Sequence, residues 1–316
     1  MSTKTLIGAA AIALAAFIAL PAVSQAQDEV PQETYRVTRP TSMDRPYDVL
    51  LIQKKGDRIH AFDPSSDRVV FKQGPDRRHA YQVIEWALHS SGVTVIHDAT
   101  IHLNGTINIP VSYTTLIVGP DSKLIGPAKY FADGGAKWFG VANLPKIIHN
   151  TRQDHVNIFN LGTLDGGGKS AYAVVLNGRN GGQNGINGGL LFSAGPLKNV
   201  NAGFWIVDAA NMKVPLAWSR NWANGLIAAE GTDDIDIGFA AGLLPSNIQH
   251  DGEAEVIDLN GFNKRAHLRH VIGSFVKGQD EIIDVNSSPN TRIDRVVGFG
   301  KVNATAEELL DGGSFV

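Results

Sequence analysis

An internal repeat in the C-terminal third is the feature of this sequence that most restricts its fold. The hexapeptide at 255–260 reads EVIDLN and recurs at 281–286 as EIIDVN, an offset of 26 residues at every aligned position. Periods in this range indicate solenoids or propellers. A propeller blade needs about 40 to 45 residues, so one coil of a parallel β-solenoid fits the spacing better.

Short β-strand patterns separated by turn residues continue from about residue 93 to about residue 302. No helical pattern of useful length interrupts them, which argues against alternating βαβ units. The chain has 34 glycines among 316 residues, a larger share than the roughly 7% that glycine makes up in an average protein. A solenoid explains this excess because its corners need left-handed backbone angles that Gly, Asn and Asp adopt readily. The sequence therefore predicts an all-β fold.

The two ends of a solenoid expose unpaired core and need caps. The spacing of apolar residues predicts one helix from about Arg78 to Ser90, ended by Gly92, which is placed to cap the N-terminal end. The capping-box sequence TAEE at 305–308 predicts a short helix through Leu310 that would close the other end.

Three segments are predicted along the chain. Residues 1–26 have the features of a secretory signal peptide: Lys4, an apolar run at 6–20 and a small-x-small cleavage site at 24–26. That run is short of the ~20 residues that a spanning helix needs. Residues 27–77 form an extension with short strands predicted at 47–52 and 68–71, and residues 78–316 form the β-helix domain with its caps.

Composition excludes several classes of protein. The absence of cysteine excludes disulfide bonds and thiolate metal sites. The 43% of hydrophobic residues excludes a disordered chain. The net charge of −3 argues against a nucleic-acid binder. We expect a bacterial protein that is secreted or periplasmic. It is expected to be monomeric, with no nucleic-acid partner and no membrane association once the signal peptide is removed.

Several segments resemble the pectate-lyase-like superfamily of carbohydrate enzymes. They are AYQVIEWAL at 80–88, GVTVI at 92–96, GTI at 105–107, TLIVG at 115–119 and NIFNLGTLDGGG at 157–168. The resemblance covers about residues 78–303 and implies a single right-handed parallel β-helix. That fold hosts lyases, hydrolases, epimerases and adhesins, so the resemblance does not fix the reaction.

A more local segment, DEIIDVNSS at 280–288, is similar to the alginate lyase and chondroitinase B family. In that family the acidic residue helps to hold calcium and a lysine just before the Ser acts as the base. Asn286 stands at the lysine position here. This difference removes the base that the resemblance would otherwise supply.

The repeat stacks carboxylates from successive coils. Alternation along the strand turns Ile257 and Leu259 towards the core and therefore predicts Asp258 on the outer face. Asp284 is predicted above it one coil later, because adjacent strands lie ~4.8 Å apart. Two carboxylates at that distance either raise the pKa of one of them or bind a cation. Glu255, Asp258, Glu281 and Asp284 are therefore candidate Ca²⁺ ligands. The alternative is that Asp and Asn recur because the corners need Asx turns.

A basic segment follows the first copy of the repeat. Cleavage of a uronate glycan by β-elimination needs a group that neutralises the carboxylate, a base and an acid. Lys264 or His267 is predicted as the base, and His250 precedes the same coil. Arg265 and Arg269 are predicted to neutralise the carboxylate. The alternative is a solvated turn whose side chains pair with neighbouring acids.

Tyr172 and Lys213 form a further candidate set on the middle coils, together with Lys169 and Arg220. Tyrosine is an acid or base in metal-independent lyases of this fold, which is what the resemblance implies for Tyr172. A core or corner role is the alternative for these residues.

The sequence thus predicts a secreted lyase acting on an anionic polysaccharide such as alginate or pectate. Two alternatives stay open. The aspartates in TDD at 232–234 are similar to those of polygalacturonases and would fit a glycoside hydrolase, although no GHG or R-x-K motif follows. The Asn286 replacement permits a non-catalytic envelope protein that binds glycans.

Overall fold

A computed structural model describes residues 45–72, 79–126, 146–167, 172–178, 185–222, 225–245, 255–273, 281–298, 300–305, 309 and 314–315. These residues form an all-β fold with parallel sheets and one helix. In chain order the elements are β1 (Tyr47–Lys55), β2 (Arg58–Asp63), β3 (Arg68–Lys72), α1 (Ala80–Ser90), β4 (Ser91–Ile96), β5 (Thr100–His102), β6 (Ile107–Asn108), β7 (Thr115–Val118), β8 (Lys123–Ile125), β9 (Lys146–Thr151), β10 (Val156–Asn160), β11 (Thr163–Asp165), β12 (Tyr172–Asn177), β13 (Ile186–Ser193), β14 (Leu197–Val200), β15 (Phe204–Val207), β16 (Ala209–Trp222), β17 (Ile227–Glu230), β18 (Asp233–Pro245), β19 (Ile257–Asn260), β20 (Ala266–Ile272), β21 (Glu281–Asn286), β22 (Thr291–Val297), β23 (Lys301–Asn303) and β24 (Ser314–Phe315).

The strands belong to a larger sheet of 16 strands and a smaller sheet of 8. The smaller sheet has the order β6-β9-β12-β15-β17-β19-β21-β23, and each of its neighbouring pairs is parallel. From β9 onward, strands of one sheet are followed along the chain by strands of the other. The chain therefore returns to each sheet one strand further along.

The 26-residue repeat corresponds to two neighbouring strands of the smaller sheet. Ile257 pairs with Ile283 and Asp258 pairs with Asp284 across β19 and β21. In the larger sheet, Val271 of β20 pairs with Val296 of β22 in the same way. The repeat in the sequence is thus a repeat of strand register, and it brings like residues together on adjacent strands.

A long apolar core lies between the sheets, and α1 packs against it at the N-terminal end. Ile84 and Leu88 of the helix are fully buried in the same cluster as the inward residues of β1, β4 and β7. The helix begins two residues later than the sequence suggests, and Arg78 lies outside the described residues. Trp86 stacks on Phe71 of β3, with ring centroids 4.7 Å apart.

Strands β1, β2 and β3 fall within the predicted extension. The first of them pairs in parallel with β4, while β2 and β3 continue the sheet as antiparallel strands. The predicted signal peptide lies outside the described residues, as does most of the predicted C-terminal helix. Within the described ranges no helix has the length and hydropathy needed to cross a bilayer.

Candidate functional site

In β9 and β12, two apolar residues of the main core stand between two residues that face away from it. In β9 the outward pair is Lys146 and His149, and in β12 it is Tyr172 and Val175. The first strand pairs with the second in register, with Lys146 opposite Tyr172 and His149 opposite Val175. We call the surface made by these outward residues the small-sheet outer face.

One column of the small-sheet outer face can be followed across seven strands. Register pairs connect His149, Val175, Trp205, Ala228, Asp258, Asp284 and Asn303 in that order. Lys146 lies opposite Tyr172, three residues before His149 and Val175. Glu255 and Glu281 likewise stand three residues before Asp258 and Asp284. The outer face is therefore basic at β9, aromatic at β12 and β15, and acidic at β19 and β21.

Tyr172 stands at the aromatic centre of this face and is 5% exposed. Its ring stacks on Trp205 with centroids 5.0 Å apart. The side-chain amide of Asn201 donates a 2.9 Å hydrogen bond to the phenol oxygen. Burial, with a smaller effect from the negative charge of Asp258, raises the pKa of Tyr172 to about 12. The phenol is consequently protonated at neutral pH.

The basic end of the face is also removed from water. Lys146 is 5% exposed, and burial lowers the pKa of its ammonium group. Burial and the charge of Lys146 together lower the pKa of His149 to about 4. The imidazole is therefore neutral at neutral pH, with a nitrogen able to accept a proton. The hydroxyl of Thr151 lies 3.1 Å from its Nε2 atom.

The acidic end contains the four predicted calcium ligands, of which Glu255 and Asp258 are buried. Glu281 forms a 2.8 Å ion pair with Lys301. Asp284 accepts a 2.9 Å hydrogen bond from Asn303. Among the described residues, no group of three or more His, Cys, Asp or Glu side chains has the geometry to hold a metal ion.

The predicted basic segment lies elsewhere, at the start of β20 in the larger sheet and in the turn before it. Lys264 Nζ and Arg265 Nη2 each lie 3.2 Å from a carboxylate oxygen of Asp233. Arg265 also lies 3.8 Å from Asp234. Both basic side chains are more than half exposed. This geometry agrees with the alternative in which neighbouring acids pair with the segment.

His267 and Arg269 also meet acids from adjacent strands. His267 Nε2 lies 2.8 Å from Asp294, and hydrogen bonds from His267 and Arg292 lower the pKa of that carboxyl against the opposing effect of burial. Arg269 donates two hydrogen bonds to Asp236, at 2.9 and 3.0 Å.

Among the remaining candidates that the structure describes, Tyr172 and Lys213 lie in different sheets. Lys213 is exposed on β16 and stands opposite Asp236 in the larger sheet, whereas Tyr172 belongs to the smaller sheet. His250 and Lys169 lie outside the described residues. The structure thus brings Tyr172 onto one outer face with Glu255, Asp258, Glu281 and Asp284, and separates this group from the basic segment.

The sequence analysis missed Lys146, His149 and Asn201. A signal for the first two is visible in retrospect, because KIIH at 146–149 has the polar-apolar-apolar-polar spacing of EVID at 255–258 and EIID at 281–284. The repeat is difficult to recognise in the sequence because the two polar residues are basic at 146 and 149 but acidic in the two later copies. Asn201 lies just before β15, and only its contact with Tyr172 reveals it.

Comparison with known proteins gives no relative for this chain. No protein family, no curated protein and no solved structure matches it.

Proposed function

We propose that this protein is an exported polysaccharide lyase that cleaves an acidic, uronate-containing polysaccharide such as alginate or pectate by β-elimination. The proposal includes a single right-handed parallel β-helix, capped by α1 at one end and by a short C-terminal helix at the other. Its support is the alternation of parallel strands between two sheets, the 26-residue register repeat and the resemblance of several segments to the pectate-lyase-like superfamily.

The observation that carries the proposal is the occurrence of a cation, an imidazole and a phenol on adjacent strands of the small-sheet outer face, where Lys146 lies opposite Tyr172 and His149 lies three residues after Lys146. Burial lowers the pKa of His149 to about 4 and raises that of Tyr172 to about 12. These shifts keep the imidazole unprotonated and the phenol protonated, the forms that a base and an acid need at the start of a reaction. At neutral pH the imidazole lacks the proton and the phenol retains its own.

β-Elimination assigns a role to each group. Lys146 offsets the negative charge of the uronate carboxylate, which acidifies the adjacent C–H bond. Neutral His149 accepts that proton, and the electron pair forms a carbon–carbon double bond as the neighbouring glycosidic C–O bond breaks. Tyr172 donates its proton to the leaving oxygen. Atoms and charges balance without water, and no step passes through a metal ion.

Asn201 provides an orienting contact for the same site. Its Nδ2 atom holds the phenol oxygen of Tyr172, while its buried Oδ1 atom has no hydrogen-bond donor in the described part of the chain. A buried acceptor of this kind costs free energy unless something donates to it.

The test is the ultraviolet absorbance of an unsaturated uronate during incubation with alginate and pectate. We expect Tyr172→Phe to lower kcat by about 10²- to 10⁴-fold, because it removes only the proton-donating hydroxyl. Tyr113→Phe is the matched control, since Tyr113 is half exposed and stacks on His155 away from this face. Absence of unsaturated product from the wild-type protein would reject the lyase.

A non-catalytic glycan-binding protein is the second candidate function. The observation in its favour is the burial of Tyr172 and Trp205, which are 5% and 6% exposed and stack on each other as core residues do. Retention of a polysaccharide without any turnover would support this candidate. Release of reducing ends without an unsaturated product would instead favour the hydrolase.

A further inference from the structure

Phe262, in the turn after β19, combines two features that a phenylalanine seldom shows. Its side chain is 79% exposed, the largest exposure among the big apolar side chains of the described residues. Its backbone has φ +67°, in the left-handed region where bulky L-residues are outliers. Neither feature contributes to the core, and strain of this kind points to a function.

The turn holds this conformation rigidly. The next residue, Asn263, is fully buried and donates 2.9 Å hydrogen bonds to Ala229 O and Ser288 Oγ. Its Oδ1 atom accepts hydrogen bonds from both the backbone N–H and the hydroxyl of Thr232. The backbone N–H of Phe262 donates to Ser287 O at 2.9 Å. Because these bonds fix the turn, binding on the Phe262 ring would cost little ordering entropy.

Exposed asparagine side chains lie two residues before Phe262 and on the next strand and the turn that follows it. Asn260 lies opposite Asn286 on the next strand, and Asn290 donates a 3.3 Å hydrogen bond to the carbonyl oxygen of Lys264. The ammonium group of Lys264 is paired with Asp233. The turn that carries Phe262 and the adjoining strand ends therefore carry exposed amide groups, and the ammonium group of Lys264 in this turn is paired.

We propose that Phe262 is a platform on which a pyranose ring of a polysaccharide stacks, with Asn260, Asn286 and Asn290 available to its hydroxyl groups. A sugar ring has an apolar C–H face and a polar rim, which matches an aromatic ring surrounded by amides. The site binds without chemistry, at a turn rather than on the small-sheet outer face. It therefore adds a holding site for the polymer and does not depend on lyase activity.

The experiment is affinity electrophoresis in gels containing alginate, pectate or the neutral glucan dextran, combined with thermal unfolding. We expect Phe262→Gly to weaken retention by at least one of these polymers by roughly tenfold, the effect of losing a good aromatic contact. The same change should raise Tm by about 1–2 °C, because glycine adopts positive φ without strain. Phe262→Trp should keep the retention.

Tyr113→Gly is the matched control. Tyr113 is also an exposed aromatic with positive φ, at +56°, but its ring face is covered by His155 at 4.7 Å. This variant should leave polysaccharide retention unchanged. Unaltered retention in Phe262→Gly, or no retention of the wild-type protein in any gel, would overturn the proposal.

Sedimentation velocity separates the sugar from a protein partner. If the wild-type protein forms a dimer that Phe262→Gly converts to a monomer, the ring is a contact between copies and the sugar site is rejected. A monomer in both cases, with retention lost only in the variant, supports the proposal. Because the readout is retention rather than turnover, it can succeed where the lyase fails, and the reverse also holds.

Discussion

The outer faces of the two sheets carry charged residues in contrasting ways. On the smaller sheet, Lys146, Tyr172 and Asp258 are each less than 10% exposed. Burial is the largest cause of the pKa shifts of Lys146 and Tyr172. On the larger sheet, Arg265 and Arg269 are about half exposed or more and lie beside acids from neighbouring strands. Burial shifts the pKa values of these groups on the first face, whereas the basic groups of β20 and of the turn before it lie in surface pairs.

This difference shows why the density of charge along a sequence is a weak guide to a site. The basic segment after β19 has five basic or titratable residues between positions 264 and 270, yet its acidic partners neutralise it and water screens it. The small-sheet outer face spreads its charges over several strands, but burial separates the pKa values of its acid and base candidates. A site for proton transfer is better sought where titratable groups are buried.

The largest expected effect is the loss of stability in Tyr172→Ala. The substitution removes a buried ring that stacks on Trp205 and leaves the Asn201 amide without its acceptor. We expect a loss of roughly 3–5 kcal/mol in the free energy of unfolding, measured by urea denaturation. Arg269→Ala, from the larger sheet, is the control and should cost less than about 1 kcal/mol. Equal losses would remove the contrast between the faces.

A second large loss of stability is expected at Asn263, the buried residue directly before Lys264. Asn263→Ala leaves Thr232 and Ser288 without their side-chain partner. We expect a loss of about 3 kcal/mol, since each unsatisfied buried group costs about 1–3 kcal/mol. Lys264→Ala, one residue further along the chain, should change stability by less than about 0.5 kcal/mol. A larger cost at Lys264 would show that the exposed ion pairs do stabilise this turn.

The sequence predicted the parallel strands and their register better than it predicted the site. The repeat placed Asp258 beside Asp284 correctly because residues one period apart pair across adjacent strands. It could not reveal the partners of the basic segment. Asp236 and Asp294 lie 33 and 27 residues from Arg269 and His267, on other strands, and only the folded register brings them into contact.

A smaller effect is expected from pH, through His149. Its folded-state pKa is lowered from 6.5 to about 4, so between these values the unfolded chain binds a proton that the folded protein does not. Stability should therefore fall as the pH drops from about 6.5 towards 4, by roughly 1–2 kcal/mol after allowing for solvent screening of the partly exposed ring. Urea midpoints measured at pH 7 and pH 5 provide the test.

His149→Asn is the variant that isolates this contribution, because asparagine does not titrate. The difference between the two urea midpoints should be smaller in the variant than in the wild-type protein. An unchanged pH dependence in His149→Asn would show that burial does not perturb this imidazole.

The smallest expected effect concerns the ion pair between Arg269 and Asp236, the best hydrogen-bonded pair on the larger sheet. Its two bonds, at 2.9 and 3.0 Å, have the bidentate geometry that favours strong pairing. Exposure opposes this advantage, because water and salt screen the charges. A double-mutant cycle with Arg269→Ala and Asp236→Ala should therefore give a coupling energy below about 1 kcal/mol, decreasing further in high salt. A coupling above about 2 kcal/mol that resists salt would mean that this pair is shielded from water, and it would favour the basic segment as the candidate site.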